Sequence, residues 1–127
     1  MRKLLLLLML ALLLTGCAAQ SVTPRSGTYR MSAPPDAVIV PTLTIDAENK
    51  TYLFSYDALS SYLPAGTYAQ DGDVIVCQTD DGRRPYLFRV VNETTLAFIA
   101  DGSEDVSLID GRIGQPVVEG SVFLLGE

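Results

Sequence analysis

The chain contains no histidine, and this removes most of the common arrangements for catalysis. Without an imidazole there is no Ser–His or Cys–His nucleophile pair, and no nitrogen ligand for zinc or iron. Ser60 and Ser61 lie outside any G-x-S-x-G frame, and no Lys stands at a useful spacing from them. The sequence therefore predicts a protein that is not an enzyme.

Carboxylates are the remaining groups with acid–base or metal-binding chemistry, and they occur in three short acidic groups. These are residues 71–73, 80–82 and 101–105. Paired carboxylates can hydrolyse glycosidic bonds or bind calcium through their oxygens. None of the three groups has the longer ligand spacing of a dedicated calcium loop, so we expect solvated turns, no metal site and no cofactor.

Eleven consecutive apolar residues, positions 4–14, follow Arg2 and Lys3 at the start of the chain. This layout is typical of a secretory signal, and the run is shorter than the roughly 20 residues of a permanent transmembrane helix. The run ends in Leu14-Thr15-Gly16-Cys17, which resembles the lipobox of bacterial lipoproteins. The alternative is an ordinary signal peptide in which Cys17 is incidental.

The lipobox resemblance implies a lipid-anchored protein in three parts: a signal peptide (1–16), the lipidated Cys17 with a tether (17–26), and a single β-domain (27–127). Acyl chains such as palmitate on Cys17 would hold the protein on the extracytoplasmic face of the cell membrane. Cys77 then has no partner for an intrachain disulfide. Its position among Val and Ile predicts a small packing residue, and the alternative is a reactive thiol.

The charge balance excludes one class of partner. The net charge is −6, and removing residues 1–16 takes away Arg2 and Lys3 and no acid, which leaves −8. Contacts with phosphates need clustered Lys and Arg, so we expect no nucleic-acid partner. The same charge argues against adhesion to anionic lipid through basic patches.

Short β-rich segments separated by turns run through residues 27–127. The Gly, Asn and Asp residues between several of them suit tight hairpins. Pro41 would remove a ladder hydrogen bond from the second segment, which is therefore an edge strand, a bulge or two pieces. The eight segments are residues 27–31, 38–45, 51–56, 67–69, 73–78, 86–91, 95–100 and 121–125.

The connectivity of these segments predicts the fold class. The one helical candidate in the domain is a single turn at residues 57–63, capped by Asp57 and stopped by Pro64. Consecutive strands with short turns favour a small antiparallel meander. We predict an all-β fold, a small antiparallel barrel or a curved sheet, after an N-terminal signal helix.

Aromatic residues follow the period of two that places side chains on one face of a strand. Tyr52, Phe54 and Tyr56 share a face by this spacing, as do Tyr86 and Phe88. The pattern predicts a barrel core filled by aromatic rings. The alternative is an aromatic-lined cavity or mouth that holds an apolar ligand.

The run LSSYLPAGTY at residues 59–68, with the segments around it, carries a resemblance. Residues 43–98 are similar to small uncharacterised β-domains of Firmicute lipoproteins. Such domains also occur as an extracytoplasmic appendage of membrane metallopeptidases of the β-lactam-sensor type. The resemblance implies an envelope-facing, lipocalin-like β-fold with no established activity. It implies no catalytic residue, because the peptidase motifs belong to another domain.

These observations predict a lipid-anchored binding or interaction module of the cell envelope, without catalysis. Its partners would be the membrane, through acylated Cys17, and an envelope protein or a small apolar ligand. The alternative is a lipocalin-like carrier of a small apolar ligand. Candidate binding residues are Tyr56, Tyr62, Leu63 and Tyr68. For residues 57–67, the competing hypothesis is that Leu59 and Leu63 close one open end of the barrel.

Overall fold

The structure is a computed structural model, and it describes residues 21–126. The expected signal helix and Cys17 lie outside the described residues. Eight strands follow one another along the chain. They are β1 (Gly27–Met31), β2 (Thr42–Asp46), β3 (Thr51–Ser55), β4 (Ala65–Asp71), β5 (Val74–Thr79), β6 (Tyr86–Asn92), β7 (Thr95–Ile99) and β8 (Val122–Leu125).

The strands form a closed antiparallel barrel in which each strand pairs with the next and β8 pairs with β1. Three residue pairs close the circle, and the middle one is Arg30 opposite Leu124. The predicted all-β meander is confirmed, and it is a barrel rather than an open curved sheet.

Pro41 determines where the second strand begins, and the alternation of apolar and polar residues determines which of its side chains face inward. β2 begins at Thr42, directly after Pro41, whose carbonyl oxygen accepts the backbone N–H of Met31 at 2.9 Å. Within β2, Leu43 and Ile45 point inward and are buried, while the Thr residues between them are half-buried on the outer wall. The predicted segment 38–45 is therefore a loop followed by a strand, because proline has no N–H for the ladder.

The predicted helical turn at residues 57–63 is wrong. Asp57 instead folds the chain into a turn, since its carboxylate accepts the N–H of Leu59 at 3.0 Å and its carbonyl accepts that of Ser60 at 3.2 Å. An Asp side chain that bonds to the backbone two residues ahead favours a turn over a helix.

Aromatic rings fill the barrel. The Phe54 ring centroid lies 5.1 Å from that of Tyr86 and 5.4 Å from that of Phe88, in both cases edge to face. Phe88 in turn contacts Phe98 and Phe123 at 5.5 and 5.4 Å. Such pairs add about 0.5–1.5 kcal/mol each beyond the area they bury. The prediction of an aromatic core is confirmed for Tyr52, Phe54, Tyr86 and Phe88, all between 0 and 4 % exposed.

The two ends of the barrel differ because the strands alternate in direction. One end carries the tight connections at residues 47–50, 72–73 and 93–94, and we call it the hairpin end. The other end carries all the longer connections, and we call it the long-loop end. Its four loops are residues 32–41, 56–64, 80–85 and 100–121.

The segment before β1 packs onto the hairpin end. Pro24 is fully buried, and Arg25 pairs with Glu93 through a backbone hydrogen bond of 2.8 Å and an ion pair of 2.9 Å. The Tyr29 hydroxyl donates from inside the barrel to the carbonyl oxygen of Arg25 at 2.6 Å. The Gln70 side chain donates to the carbonyl of Val22 at 2.6 Å. Residues 22–26, placed in the tether by the sequence, therefore lie against the barrel.

Candidate functional site

The loops of the long-loop end are joined to one another by specific contacts. The Asp57 carboxylate accepts the backbone N–H of Ile109 at 2.7 Å, which connects loop 56–64 to loop 100–121. A carboxylate oxygen of Glu104 accepts the N–H of Arg84 at 3.1 Å and connects loop 80–85 to the same long loop. These contacts join three of the four long loops into one continuous surface.

Tyr62 connects loop 56–64 to loop 80–85. Its hydroxyl donates to the Asp81 carboxylate at 2.9 Å, and the Arg83 guanidinium lies 4.2 Å from the centroid of its ring. Arg83 also pairs with Asp81 at 3.2 Å, which completes a triangle. The neighbouring Thr79 and Tyr62 hydroxyls hold the pKa of the Asp81 carboxyl below its usual range.

The four candidate binding residues do not form one patch. Tyr56 is half-buried, with its ring 5.3 Å from that of Phe54, so it packs on the top of the core. Tyr62 is held in the triangle with Asp81, and Leu63 next to it is 50 % exposed. Tyr68 is 4 % exposed and near the hairpin end, where Lys50 lies over its ring at 5.6 Å. The structure therefore brings Tyr56, Tyr62 and Leu63 to the long-loop end and places Tyr68 apart from them.

The hypothesis that Leu59 and Leu63 close the barrel is wrong. Both side chains point outward and are 47 and 50 % exposed. The long-loop end is covered instead by Val117, which is buried, and by Val40 and Val106, which pack against the core. Ser103 ties this cover to the strands, because its hydroxyl accepts the N–H of Leu87 at 2.8 Å and donates to the carbonyl of Ile99.

Cys77 lies inside the barrel on β5. Its side chain is 0 % exposed, and burial raises the pKa of the thiol well above its usual range. A thiol without access to solvent and without a thiolate form at neutral pH is not a nucleophile. The prediction of a packing residue is confirmed.

Of the three acidic groups, residues 71–73 are exposed to solvent, whereas Asp81 and Glu104 in the other two contact neighbouring loops. Asp73 pairs with Arg89 at 3.0 Å, and both side chains are more than half exposed. Within residues 21–126, no three His, Cys, Asp or Glu side chains are grouped in a way that would hold a metal ion.

The long-loop end is strongly acidic and carries exposed apolar side chains. It holds nine acidic residues against three arginines, a net charge of −6. Two of the arginines are already paired, Arg83 with Asp81 and Arg112 with Asp110. Six large apolar side chains are between 47 and 90 % exposed there: Val38, Leu59, Leu63, Ile109, Ile113 and Val118.

A groove between two of the loops was missed by the sequence analysis. It encloses about 470 Å³ between residues 36–39 of one loop and Arg112, Ile113 and Gln115 of another, and we call it the Val38 groove. The predicted strand at residues 38–45 includes Val38 because this residue stands in an apolar run with Ile39 and Val40. Pro41 is the signal that the strand begins only after this run, at Thr42, and outside the strand Val38 is 90 % exposed.

Comparison with known proteins adds no relative. No family model, no curated protein and no solved structure matches this chain. In the part of the chain that the structure describes, no helix has the length and hydropathy needed to cross a membrane.

Proposed function

We propose that this protein is a lipid-anchored binding module of the cell envelope, attached to the membrane through acylated Cys17 and without catalytic activity. We also propose a relationship with the small β-domains of Firmicute lipoproteins, which residues 43–98 resemble. It places the protein on the extracytoplasmic face of the membrane.

The observation that carries the proposal is the opposite placement of the N-terminal segment and the long loops. Val22 and Arg25 are held at the hairpin end, so a chain anchored at Cys17 leaves the barrel from that end. Residues 17–21 are the only ones left to reach the membrane, and five extended residues span at most roughly 18 Å. An anchored barrel would stand close to the membrane with its long-loop end facing away.

The filled core supports binding at the surface rather than inside the barrel. Tyr52, Phe54, Tyr86 and Phe88 are the side chains that a carrier would use to line a cavity, and they pack against other core residues. A small apolar ligand inside the barrel would have to displace these rings. We therefore favour the interaction module over the lipocalin-like carrier.

The absence of histidine and the buried Cys77 support a role without catalysis. The hydroxyl and carboxylate groups of Tyr62 and Asp81 are engaged with each other and with Arg83. These groups fix the loops relative to one another, which suits a preorganised binding surface.

Membrane fractionation tests the anchor. Cys17→Ser should move the protein out of the membrane fraction or leave it unprocessed, and Cys77→Ala is the matched control that should stay with the membrane. A Cys17→Ser protein that is processed and remains membrane-bound would contradict the proposal.

Labelling of introduced cysteines tests the orientation. In the Cys77→Ala background, Glu48→Cys places a thiol at the hairpin end and Asp101→Cys places one at the long-loop end, both at exposed positions. A bulky polyethylene-glycol maleimide should react with the second faster than with the first on membranes, and equally fast with both after detergent release. Equal rates on the membrane would contradict this orientation.

A further inference from the structure

The Val38 groove combines an apolar wall with one exposed carboxylate, that of Asp36. Val38 is 90 % exposed and Ile113 on the opposite loop is 48 % exposed, so both present apolar surface to solvent. Asp36 stands exposed in the lining, and no ion pair involves it within residues 21–126. The cation in the lining, Arg112, is held by Asp110 through two hydrogen bonds of 3.0 and 2.9 Å.

Such exposure calls for an explanation because the surrounding surface is rich in charge. Because Val38 is almost entirely exposed, its side chain contributes almost no burial of apolar surface to the stability of the fold. Large apolar side chains at the rim of a groove, surrounded by polar residues, are typical of interaction sites. The size of the groove, about 470 Å³, is in the range of sites that hold a side chain or small ligand.

The charge around the groove selects the partner. The long-loop end has a net charge of −6, which repels nucleic acids and anionic lipid and attracts cationic groups. A partner that fits both features carries Lys or Arg together with apolar side chains. An extended polypeptide segment in which Lys or Arg alternates with apolar residues presents both kinds of side chain.

The Arg112–Ile113 side of the groove is held in place by neighbouring loops of the long-loop end. Arg112 and Ile113 belong to the same loop that Asp57 fixes through Ile109 and that Glu104 fixes through Arg84. Within the loop, the backbone N–H groups of Ile113 and Gly114 donate to the carbonyl of Asp110 at 3.4 and 3.3 Å. A binding partner therefore has to order little of this side of the groove.

From these observations we propose that the Val38 groove binds an apolar side chain of a Lys- or Arg-rich polypeptide, with Asp36 facing one of its cationic groups. The inference deepens the proposed function, on which it rests, by naming the surface and the class of partner. The polypeptide lies across the long-loop end, with its positive charges over the acidic loops.

A synthetic peptide tests the proposal with the purified full chain. The probe is a seven-residue peptide that alternates Lys and Leu around a central Trp. The protein has no Trp, so Trp fluorescence reports on the peptide alone. Saturable binding is expected, and it should weaken at high salt because the attraction is partly electrostatic.

Variants locate the site. Val38→Ser and Asp36→Asn should each weaken peptide binding, the first by about tenfold because it removes one apolar contact. Leu53→Ser is the matched control, since Leu53 is a 39 % exposed side chain on the wall of the barrel. Val38 and Asp36 are exposed, so unchanged melting temperatures will show that loss of binding is not loss of folding.

Two altered peptides test which kind of partner the groove accepts. A peptide with Glu in place of Lys, or with Ser in place of Leu, should bind at least tenfold more weakly. Equal binding of either peptide, equal binding to Val38→Ser and wild type, or no saturable binding of the Lys–Leu peptide would overturn the proposal. The assay does not depend on Cys17, so its failure would leave the lipid anchor and the orientation untouched.

Discussion

The carboxylate of Asp57 accepts the backbone N–H of Ile109 at 2.7 Å, although the two residues stand 52 positions apart in the sequence. The other oxygen of the same carboxylate accepts the N–H of Leu59 at 3.0 Å. One side chain thereby shapes its own turn and fixes the longest loop of the molecule. Asp57 therefore links loop 56–64 to loop 100–121.

Replacing Asp57 should loosen loop 100–121. Asp57→Ala removes the acceptor for two N–H groups, and we expect a loss of about 1–2 kcal/mol in the free energy of unfolding. Hydrogen exchange at Ile109 should become faster than in the wild type. Asp57→Asn keeps one acceptor oxygen and should retain most of the protection, while equal exchange in all three proteins would contradict the assignment.

Tyr62 and Leu63 should differ in their effect on stability. Tyr62→Phe loses the hydrogen bond to Asp81, and we expect a cost of about 0.5–1 kcal/mol. Leu63→Ala should change stability by less than about 0.5 kcal/mol, because half of the side chain is exposed. Thermal unfolding of both variants measures this. A melting temperature several degrees lower for Leu63→Ala would contradict this and indicate that Leu63 closes the barrel.

Cys77 should tolerate removal of its thiol but not its replacement by a hydroxyl. Cys77→Ala leaves a small void and should cost at most about 2 kcal/mol. Cys77→Ser places a polar group in an apolar interior and should cost more, about 1–3 kcal/mol beyond the lost packing. Denaturant unfolding compares the two variants. In the native wild type, a thiol reagent should react at Cys77 no faster than the barrel unfolds.

Alkaline pH should unfold the barrel through its tyrosines. Burial raises the pKa of Tyr29 to about 12, and it raises the pKa of Tyr52 and Tyr86 further above the ordinary value of 10.0. Since the unfolded chain releases these protons near pH 10, the stabilisation is complete below pH 10 and is lost as the pH rises through the folded-state values. Phenolate absorbance should therefore lag behind that of free tyrosine and rise together with the loss of β-structure. Ionisation of all tyrosines near pH 10 in a folded barrel would contradict this.

The strands were predictable because they follow from local rules. Alternation placed Leu43 and Ile45 on the inner face, and the turn residues placed the hairpins, since both depend on residues close in sequence. β4 was predicted too short. It carries a single large apolar residue, Tyr68, and alternation cannot be read from one residue.

The candidate site was less predictable because it depends on contacts between distant loops. Nothing near Tyr62 in the sequence indicates that Asp81 and Arg83 will hold it. Gly66 is a similar case, because a Cβ at this position would clash with the carbonyl oxygen of Gln78 on the adjacent strand. The burial of Pro24 likewise depends on the hairpin end that it covers.

Closure of the barrel by β1 and β8 has a consequence for the proposed attachment to a membrane. Proteins anchored by lipid share two dimensions and meet one another at a high effective concentration. A sheet with free edges would offer unpaired N–H and C=O groups to each neighbour and would invite pairing between copies. The three residue pairs from Tyr29–Leu125 to Met31–Phe123 remove those edges. A barrel that is closed in this way can be crowded without edge-to-edge pairing, and in the proposed function the loops are left as the surface for recognition.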